Sequence, residues 1–279
     1  MTPSPEIFPV PLIHISETNS TNNYLQTLCA QQKVEELTTV VADFQTSGRG
    51  QRGNSWESEP LKNLLFSFVL FPDFLEARCQ FLISQIISLA IKEELSTYTE
   101  DISIKWPNDI YWKEKKICGI LIENDLMGRN ICQSIAGIGI NINQEEFYSP
   151  APNPVSLYQI TGKRHDVFEI LKNIMIRVQS YYAKLQKGDI TQITNQYEKS
   201  LFRKEGMHRY KDKRYNGECH AQLQKNAAGE QYLFQHTGMT CVFCNCRNRC
   251  MYGGKCAGSS SFTSGRNAER ERSTREEKS

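Results

Sequence analysis

Apolar residues alternate between short β-type runs and longer stretches of helical spacing through the first 200 residues. Runs rich in β-branched residues predict strands at 13–15, 37–42, 63–71 and 131–143. Apolar positions at helical spacing predict amphipathic helices at 80–95, 166–185 and 189–201. A strand at 102–105 and a hairpin formed by 110–112 and 117–123 complete the pattern. This order predicts an α/β fold of the α+β type, with helices packed against a mixed central sheet.

The pattern changes twice toward the C-terminus. From about residue 203, short β segments around 210, 218–223 and 231–234 predict a small β domain. Beyond Phe234, five cysteines crowd together and are followed by an Arg/Glu/Ser-rich run with almost no apolar residues. We therefore predict three segments: a main domain at 1–200, a small β domain at 201–236, and a tail at 237–279 that we expect to be disordered.

Composition excludes several broad classes. The chain has 279 residues and a formal net charge of +2, which does not indicate a dedicated nucleic-acid binder. No apolar run reaches the roughly 20 residues of a membrane span, and the N-terminal residues lack the pattern of a signal peptide. The cysteines before residue 220 are scattered without paired spacing, which favours a reducing, cytoplasmic location over a disulfide framework.

The stretch 43–56 (DFQTSGRGQRGNSW) contains the strongest candidate for ligand binding. Its three glycines allow the backbone to approach a ligand closely. Arg49 and Arg52 provide guanidinium groups suited to phosphate or carboxylate, and Trp56 provides a flat face for stacking. The stretch matches neither the Walker A pattern nor GxGxxG. It therefore fits a loop around a nucleotide-like anion, with an ordinary solvated loop as the alternative.

Two other places could contribute to the same site. Ser20 and Thr21 precede apolar residues at helical spacing, so they can cap a helix or present hydroxyls to a polar ligand at its N-terminus. Gly137 and Gly139 lie inside a predicted strand, where glycine indicates that another group approaches the backbone.

Three segments and their order along the chain resemble the catalytic domain of biotin–protein ligases. The segments are GRGQRGNSW (48–56), KWPND (105–109) and GIGIN (137–141), and they are preceded by STNNYL (20–25). The resemblance covers about residues 12–225, and the first two segments are its most specific part. It implies the ligase fold, with a small SH3-like β domain after the main sheet. That domain would be incomplete here, because Phe234 is not followed by the family's closing strand.

The resemblance implies a two-step, ATP-dependent reaction. The biotin carboxylate attacks the α-phosphate of ATP to give biotinyl-5′-AMP and pyrophosphate. A lysine of a biotin carrier domain, in a biotin-dependent carboxylase, then attacks the mixed anhydride and releases AMP. Fixed cations and backbone donors suit this chemistry, because negative charge accumulates on phosphate and carboxylate oxygens. Mg²⁺ is expected to accompany ATP, with no protein ligand that the sequence identifies.

The resemblance also implies roles for individual residues. Lys105 and Arg49 would be the catalytic cations, with Lys105 next to the reacting groups and Arg49 ordering the loop. The biotin-binding set would be Ser20, Thr21, Asn22, Gln45, Gly48, Arg49, Lys105 and Gly119. The set for ATP and the adenylate would be Gln51, Arg52, Trp56, Asn108, Gly139 and Asn141. Gln51 stands where many relatives have a second basic residue, and Asp109 would hold a turn.

Other functions are kept as alternatives. Lipoate–protein ligases and octanoyltransferases share the fold and the use of a lysine, but not the GRGxxG and KWPND pair. The Cys241–Cys244 pair and its neighbours suggest a zinc-binding adaptor, although their spacing does not match two ligand pairs. A nucleic-acid-binding module is the third alternative. We expect no metal ligands and no membrane partner. We also expect no specific DNA as a partner, since no helix-turn-helix precedes the ligase-like part.

Overall fold

The computed structural model describes residues 8–51, 54–149 and 153–205, and the backbone of strands 208–212, 217–225, 232–236 and 239–242. The chain divides into two compact units between Lys204 and Glu205, a few residues after the predicted boundary. The division into three segments stays a prediction.

The first unit is built on a seven-stranded mixed sheet. Its strands are β1 (Leu12–Thr18), β2 (Thr39–Gln45), β3 (Leu64–Leu70), β4 (Ile102–Lys105), β5 (Asp109–Trp112), β6 (Lys115–Met127) and β7 (Asn130–Ile140). Their order across the sheet is β1-β2-β3-β7-β6-β5-β4, with β1 and β2 parallel and every other neighbouring pair antiparallel. The predicted mixed sheet with helices is confirmed.

Among the described residues, five α-helices accompany this sheet: α1 (Thr21–Gln31), α2 (Phe81–Leu95), α3 (Leu157–Thr161), α4 (Val167–Gln186) and α5 (Ile190–Lys199). The predicted long helices start and end within a few residues of these bounds. Helix α4 begins where the Asp166 carboxylate accepts hydrogen bonds from the amides of Phe168 and Glu169. Helix α3 occupies a segment whose type the sequence left open, and its start is fixed by a capping box between Ser156 and Gln159.

Hydrophobic burial explains why the sheet holds these helices. Every residue of β3 is buried, so both faces of the sheet centre are covered. On one face, Leu25 of α1 packs with Val40, Val69 and Ile135. Helix α2 is buried around most of its circumference and packs against α4, α5 and the β4–β5 edge of the sheet. The sheet centre therefore gives a fixed support for the N-terminus of α1 and for the loops next to it.

The second unit contains a four-stranded antiparallel sheet. Its strands are β8 (His208–Asp212), β9 (Gly217–Lys225), β10 (Tyr232–His236) and β11 (Met239–Val242), in the order β11-β10-β9-β8. The first three agree with the predicted β segments. Strand β11 lies in the part that the sequence analysis assigned to a disordered tail, and it pairs with β10. Residues 243–279, which include the remaining tail cysteines, lie outside the described residues.

No helix in the described part of the chain has the length and apolarity needed to cross a membrane.

Candidate active site

A small cleft opens where the start of α1, the glycine–arginine loop (residues 46–56), Asn108 and the strands β6 and β7 meet. Its walls combine polar side chains with glycines, and a few apolar side chains complete them. The residues around it are Ser20, Thr21, Asn22, Gln45, Arg49, Gly50, Gln51, Trp56, Asn108, Lys116, Gly119, Ile120, Leu121, Gly137, Ile138 and Gly139.

The N-terminus of α1 forms one polar wall. Ser20 is the N-cap, but its side chain makes no capping hydrogen bond. The backbone N–H and the hydroxyl of Thr21 both donate to Oε1 of Gln45, at 2.8 and 3.1 Å. The Ser67 hydroxyl lies 2.7 Å from Thr21 Oγ1 and 2.6 Å from Asn22 Oδ1. These buried bonds hold the polar groups of α1 in one arrangement before any ligand arrives.

Glycine at position 137 is required by the approach of α1 to β7. A Cβ at Gly137 would lie 2.1 Å from Oδ1 of Asn22, so any larger residue would displace that side chain. Asn22 also donates through Nδ2 to Glu123 Oε2 at 2.8 Å. The close backbone approach that Gly137 indicated is therefore made by a side chain of the protein itself.

The paired glycines Gly119 and Gly139 form a flat floor. They lie opposite each other in the β6–β7 ladder. The indole of Trp56 covers both glycines. A Cβ added at Gly119 would lie 2.8 Å from Trp56 Cζ3, and a Cβ added at Gly139 would lie 2.4 Å from Trp56 Cε2. The indole Nε1 is buried and has no hydrogen-bond partner among the described residues. Trp56 thus covers the surface that the sequence analysis assigned to the approaching ligand.

Lys116 is the lysine that reaches the cleft. Its ammonium forms an ion pair with Asp109 at 2.7 Å and lies 5.6 Å from the centre of the Trp56 ring. Lys116 also lies beside Gly119, since its Nζ would be 3.3 Å from a Cβ there. A fixed cation therefore stands at the edge of the glycine floor.

A β-bulge explains why Lys116 faces the cleft. Residues 116 and 119 of a regular strand would point to opposite faces. Here the β5–β6 register shifts, so that Ile110 pairs with Cys118 while Tyr111 pairs with Lys116. The extra residue in β6 turns Lys116 onto the face of Gly119. Lys116 does not stand out in the sequence, because nothing local to β6 marks that shift.

The glycine–arginine loop is closed by backbone and side-chain bonds. Within it, the Gly50 amide donates to the Asn54 carbonyl at 2.7 Å and the Trp56 amide to the Gly48 carbonyl at 2.8 Å. Arg49 makes a two-pronged ion pair with Glu123 of β6, with Nη1–Oε1 at 3.1 Å and Nη2–Oε2 at 2.6 Å.

The end of the loop is fixed by Glu57. Its carboxylate accepts from the backbone amides of Tyr148 and Ser149, each at 2.8 Å. Burial opposes ionisation of Glu57, but bonds from the Ser149 hydroxyl and from these two amides outweigh it and lower the pKa of the carboxyl.

Comparison with known proteins shows a similarity to one family of ligases. The family described as "Biotin/lipoate A/B protein ligase family" matches residues 15–141. One similar protein is the bifunctional ligase/repressor BirA of Bacillus subtilis, which is 31% identical over 185 residues, or 64% of this chain and 55% of that protein. Another is the biotin–[acetyl-CoA-carboxylase] ligase of Paracoccus denitrificans, which is 28% identical over 188 residues, or 65% of this chain and 77% of that protein. Over residues 15–141 the chain is therefore similar to the biotin/lipoate A/B protein ligase family.

Solved biotin protein ligases share this fold. A structure from Aquifex aeolicus, in complex with biotin and ATP, is similar with a TM-score of 0.69 and 29% identity. That similarity covers 84% of this chain and 95% of the Aquifex chain. The chain spans about half of the length of the ligase/repressors that it matches, 55% for the two Bacillus proteins.

Most residues that the ligase resemblance singled out meet at the cleft. Those around it are Ser20, Thr21, Asn22, Gln45, Arg49, Gln51, Trp56, Asn108, Gly119 and Gly139. Arg52 lies outside the described residues. Asn108 also fastens β5 to β6, because its Nδ2 donates to the Ile120 carbonyl at 2.7 Å.

Three expected ligase residues do not line the cleft: Gly48, Lys105 and Asn141. Lys105 is an exposed residue of β4, and its ammonium donates to the Tyr111 hydroxyl at 2.8 Å and lies 4.5 Å from that ring's centre. The assignment of Lys105 as the cation beside the reacting groups stays a prediction. Asn141 is buried, and its Nδ2 donates to the Val155 carbonyl at 3.2 Å. Gly48 instead leaves room for the Trp56 backbone.

Metal ligands do not cluster in the described residues, where no group of three or more His, Cys, Asp or Glu could hold an ion. Asp109, a carboxylate near the cleft, is paired with Lys116. The nearby thiol of Cys118 is fully buried, which raises its pKa far above the ordinary value.

Proposed function

We propose that this chain attaches biotin to a lysine of a biotin carrier domain in two steps. Biotin and ATP first give biotinyl-5′-AMP and pyrophosphate, and the carrier lysine then takes the biotinyl group and releases AMP. The supporting observation is the cleft itself. A polar helix start, a glycine-floored sheet surface and the Lys116 cation meet there, in a fold shared with a ligase solved with biotin and ATP.

Lys116 takes the role that the sequence suggested for Lys105. Joining a carboxylate to a phosphate brings two anions together, and a fixed cation beside them lowers the cost of the developing charge. Asp109 keeps the Lys116 ammonium at the cleft edge, at 2.7 Å. Because both charges are held before the ligands arrive, little reorganisation is needed at the moment of reaction.

The start of α1 is our choice for binding the polar ureido ring of biotin. Ser20, Thr21, Asn22 and Gln45 offer hydroxyl and amide groups that can donate and accept in fixed positions. The glycine floor then takes the apolar part of biotin once the Trp56 indole moves aside. The unpartnered Nε1 of Trp56 supports this displacement, because a buried donor without an acceptor is costly.

ATP lies on the Lys116 side of the cleft in this proposal. Gln51, Asn108, Trp56 and Gly139 are the described residues there that the ligase resemblance assigns to the adenylate. Mg²⁺ enters as a companion of the ATP phosphates. The described residues offer it no carboxylate cluster, so we derive no step from it. Cytoplasmic location and a biotin-dependent carboxylase as the partner are part of the same proposal.

Incubation with ATP, Mg²⁺ and biotin, followed by mass spectrometry, tests the first step. We expect biotinyl-AMP, and a biotinylated lysine when a biotin carrier domain is added. Lipoate offered in place of biotin is the matched control, because the family includes both kinds of ligase. Lipoyl-AMP without biotinyl-AMP would assign the chain to the lipoate branch, and neither adenylate from folded protein would reject the proposal.

A further inference from the structure

Ser67 of β3 carries a fully buried hydroxyl behind the polar start of α1. It lies 2.7 Å from Thr21 Oγ1 and 2.6 Å from Asn22 Oδ1. Ser67 pairs with Gly137 of β7, where the missing Cβ leaves room for the Asn22 side chain. Ser67 stands outside the set of described residues that line the cleft, so its effect on a ligand has to pass through Thr21 or Asn22.

The orientation of the Asn22 amide is fixed by its partners. Its Nδ2 donates to Glu123 Oε2 at 2.8 Å and to the Leu121 carbonyl at 3.4 Å, and both of those groups are acceptors. The Oδ1 atom of Asn22 therefore faces Ser67. Because an amide oxygen has no proton to donate, the 2.6 Å contact requires the Ser67 hydroxyl to donate its single proton to Asn22.

The Thr21 hydroxyl has one proton and two acceptors within reach, Ser67 Oγ at 2.7 Å and Gln45 Oε1 at 3.1 Å. Ser67 can accept that proton, since its own proton lies toward Asn22. Gln45 Oε1 already accepts from the backbone N–H of Thr21 at 2.8 Å, which leaves it one further lone pair. When the Thr21 proton turns to Ser67, Thr21 Oγ1 and Gln45 Oε1 each have a lone pair for a ligand in the cleft.

We infer that Ser67 is a positioning residue that takes the Thr21 proton when the ligand binds, so that Thr21 and Gln45 both act as acceptors. This inference rests on the proposed function and deepens it, because it assigns the start of α1 to a ligand that brings N–H donors. The ureido ring of biotin has two N–H groups, whereas the dithiolane ring of lipoate has none. Buried acceptors that would stay unpaired discriminate strongly against a ligand without such donors.

Ser67→Ala is the first test, because it removes the hydroxyl and changes the buried volume little. Without Ser67, the Thr21 proton stays on Gln45 Oε1, and the cleft loses one acceptor for a ligand N–H. We expect the Kd of biotin, measured by calorimetry without ATP, to rise about tenfold, the factor for one hydrogen bond left unmade in a buried site. The rate of biotinyl-AMP formation at saturating biotin should change much less, because the variant alters binding of the ring and not the reacting carboxylate.

Two further variants at buried serines sharpen the test. Ser134→Ala is the matched control, since Ser134 of β7 is a buried serine whose hydroxyl has no hydrogen-bond partner among the described residues. It should leave the Kd of biotin unchanged. Ser67→Cys keeps nearly the size of the side chain, but a thiol accepts a hydrogen bond only weakly. It should weaken biotin binding as Ser67→Ala does, and it remains informative if the alanine variant fails to fold.

Thr21→Val distinguishes positioning from a general structural role. It removes the hydroxyl with little change in size, and with it the proton that Ser67 would accept. In the Thr21→Val background, Ser67→Ala should cause no further rise in the Kd of biotin, because Ser67 acts on the ligand through Thr21. A structural defect caused by Ser67→Ala would instead add to the loss from Thr21→Val.

The outcomes separate the role of Ser67 from the proposed function. A Kd of biotin in Ser67→Ala and Ser67→Cys equal to that in Ser134→Ala would overturn the role, and so would full additivity with Thr21→Val. Biotin binding that responds to Ser67, with no biotinyl-AMP after addition of ATP and Mg²⁺, would support the role and reject the proposed function. Absence of biotin binding by the folded, unaltered protein would overturn both.

Discussion

Single residues in the cleft carry distinct electrostatic tasks. Lys116 brings a positive charge to the edge of the glycine floor, and Asp109 fixes it. Arg49 is also positive but is already bonded to Glu123. The two cations near the cleft therefore have carboxylate partners in different places, Asp109 for Lys116 and Glu123 for Arg49.

Lys116→Met should reduce the rate of biotinyl-AMP formation by about a hundredfold or more, the cost of losing one preorganised charge. Lys105→Met is the matched comparison, because Lys105 contacts Tyr111 outside the cleft. We expect it to have a much smaller effect. Single-turnover formation of biotinyl-AMP is the measurement, and a larger loss in Lys105→Met would restore Lys105 as the reacting cation.

At the scale of the elements, a buried carboxylate fastens helix α2 to helix α4. Glu94 of α2 is 1% exposed and accepts from Arg177 Nε at 3.1 Å, Asn173 at 3.1 Å and the Tyr98 hydroxyl at 3.2 Å. These bonds satisfy a charge that would otherwise be costly to bury. The contact between Glu94 and Arg177 therefore sets the position of α4 against α2.

Arg177→Met should destabilise the first unit by about 3 kcal/mol, because it leaves the Glu94 carboxylate buried without its counterion. Arg164→Met removes an exposed ion pair with Glu145 and should cost less than about 1 kcal/mol. Urea unfolding followed by tryptophan fluorescence measures both, since all three tryptophans lie in the first unit. Equal losses in the two variants would contradict the role given to Glu94.

The turn between α3 and α4 should make stability depend on pH. His165 contacts the Thr161 hydroxyl through Nε2 at 2.8 Å and packs edge-on against Tyr98. Burial, followed by the nearby charge of Lys163, lowers the pKa of His165 below 6.5. The unfolded chain therefore binds more protons than the folded chain as the pH falls through this range, and stability is lost in the acid direction.

Lys163→Met should weaken that pH dependence, because it removes the repulsive charge and leaves the hydrogen bonds of His165 in place. The measurement is the free energy of unfolding of both proteins between about pH 7.5 and about pH 5. The variant should lose less stability than the unaltered protein on acidification. Parallel curves would show that the Lys163 charge does not act on His165.

At the scale of the whole molecule, the described residues that line the cleft all belong to the first unit. The lining runs from Ser20 to Gly139, and the division between the units comes only after Lys204. The zinc-adaptor alternative depends on tail cysteines, most of which lie outside the described residues.

A chain ending at Val242 should form biotinyl-AMP at the rate of the full chain, because it retains every described residue that lines the cleft. The measurement is single-turnover adenylate formation by both chains, together with metal analysis by inductively coupled plasma methods. We expect no stoichiometric zinc in either chain. Loss of adenylate formation on truncation, or zinc bound only to the full chain, would give residues 243–279 a role that the cleft does not predict.

The sequence by itself determined the strands, the helices and most of the cleft. Runs of β-branched residues and helical apolar spacing depend on neighbours in the chain, so they predicted β3, α2 and α4 nearly to their ends. The glycine–arginine loop and the polar start of α1 were found for the same reason, since their chemistry is contained in short segments.

Only the tertiary structure decided which charged groups meet in the cleft. The bulge opposite Tyr111 turned Lys116 to the glycine floor, and strand pairing left Lys105 on an edge strand. Glu123 became a partner of Arg49 and Asn22 across 74 and 101 positions of sequence. Register shifts and contacts of this range depend on how separate strands pair and pack, and a local pattern of residues does not encode them.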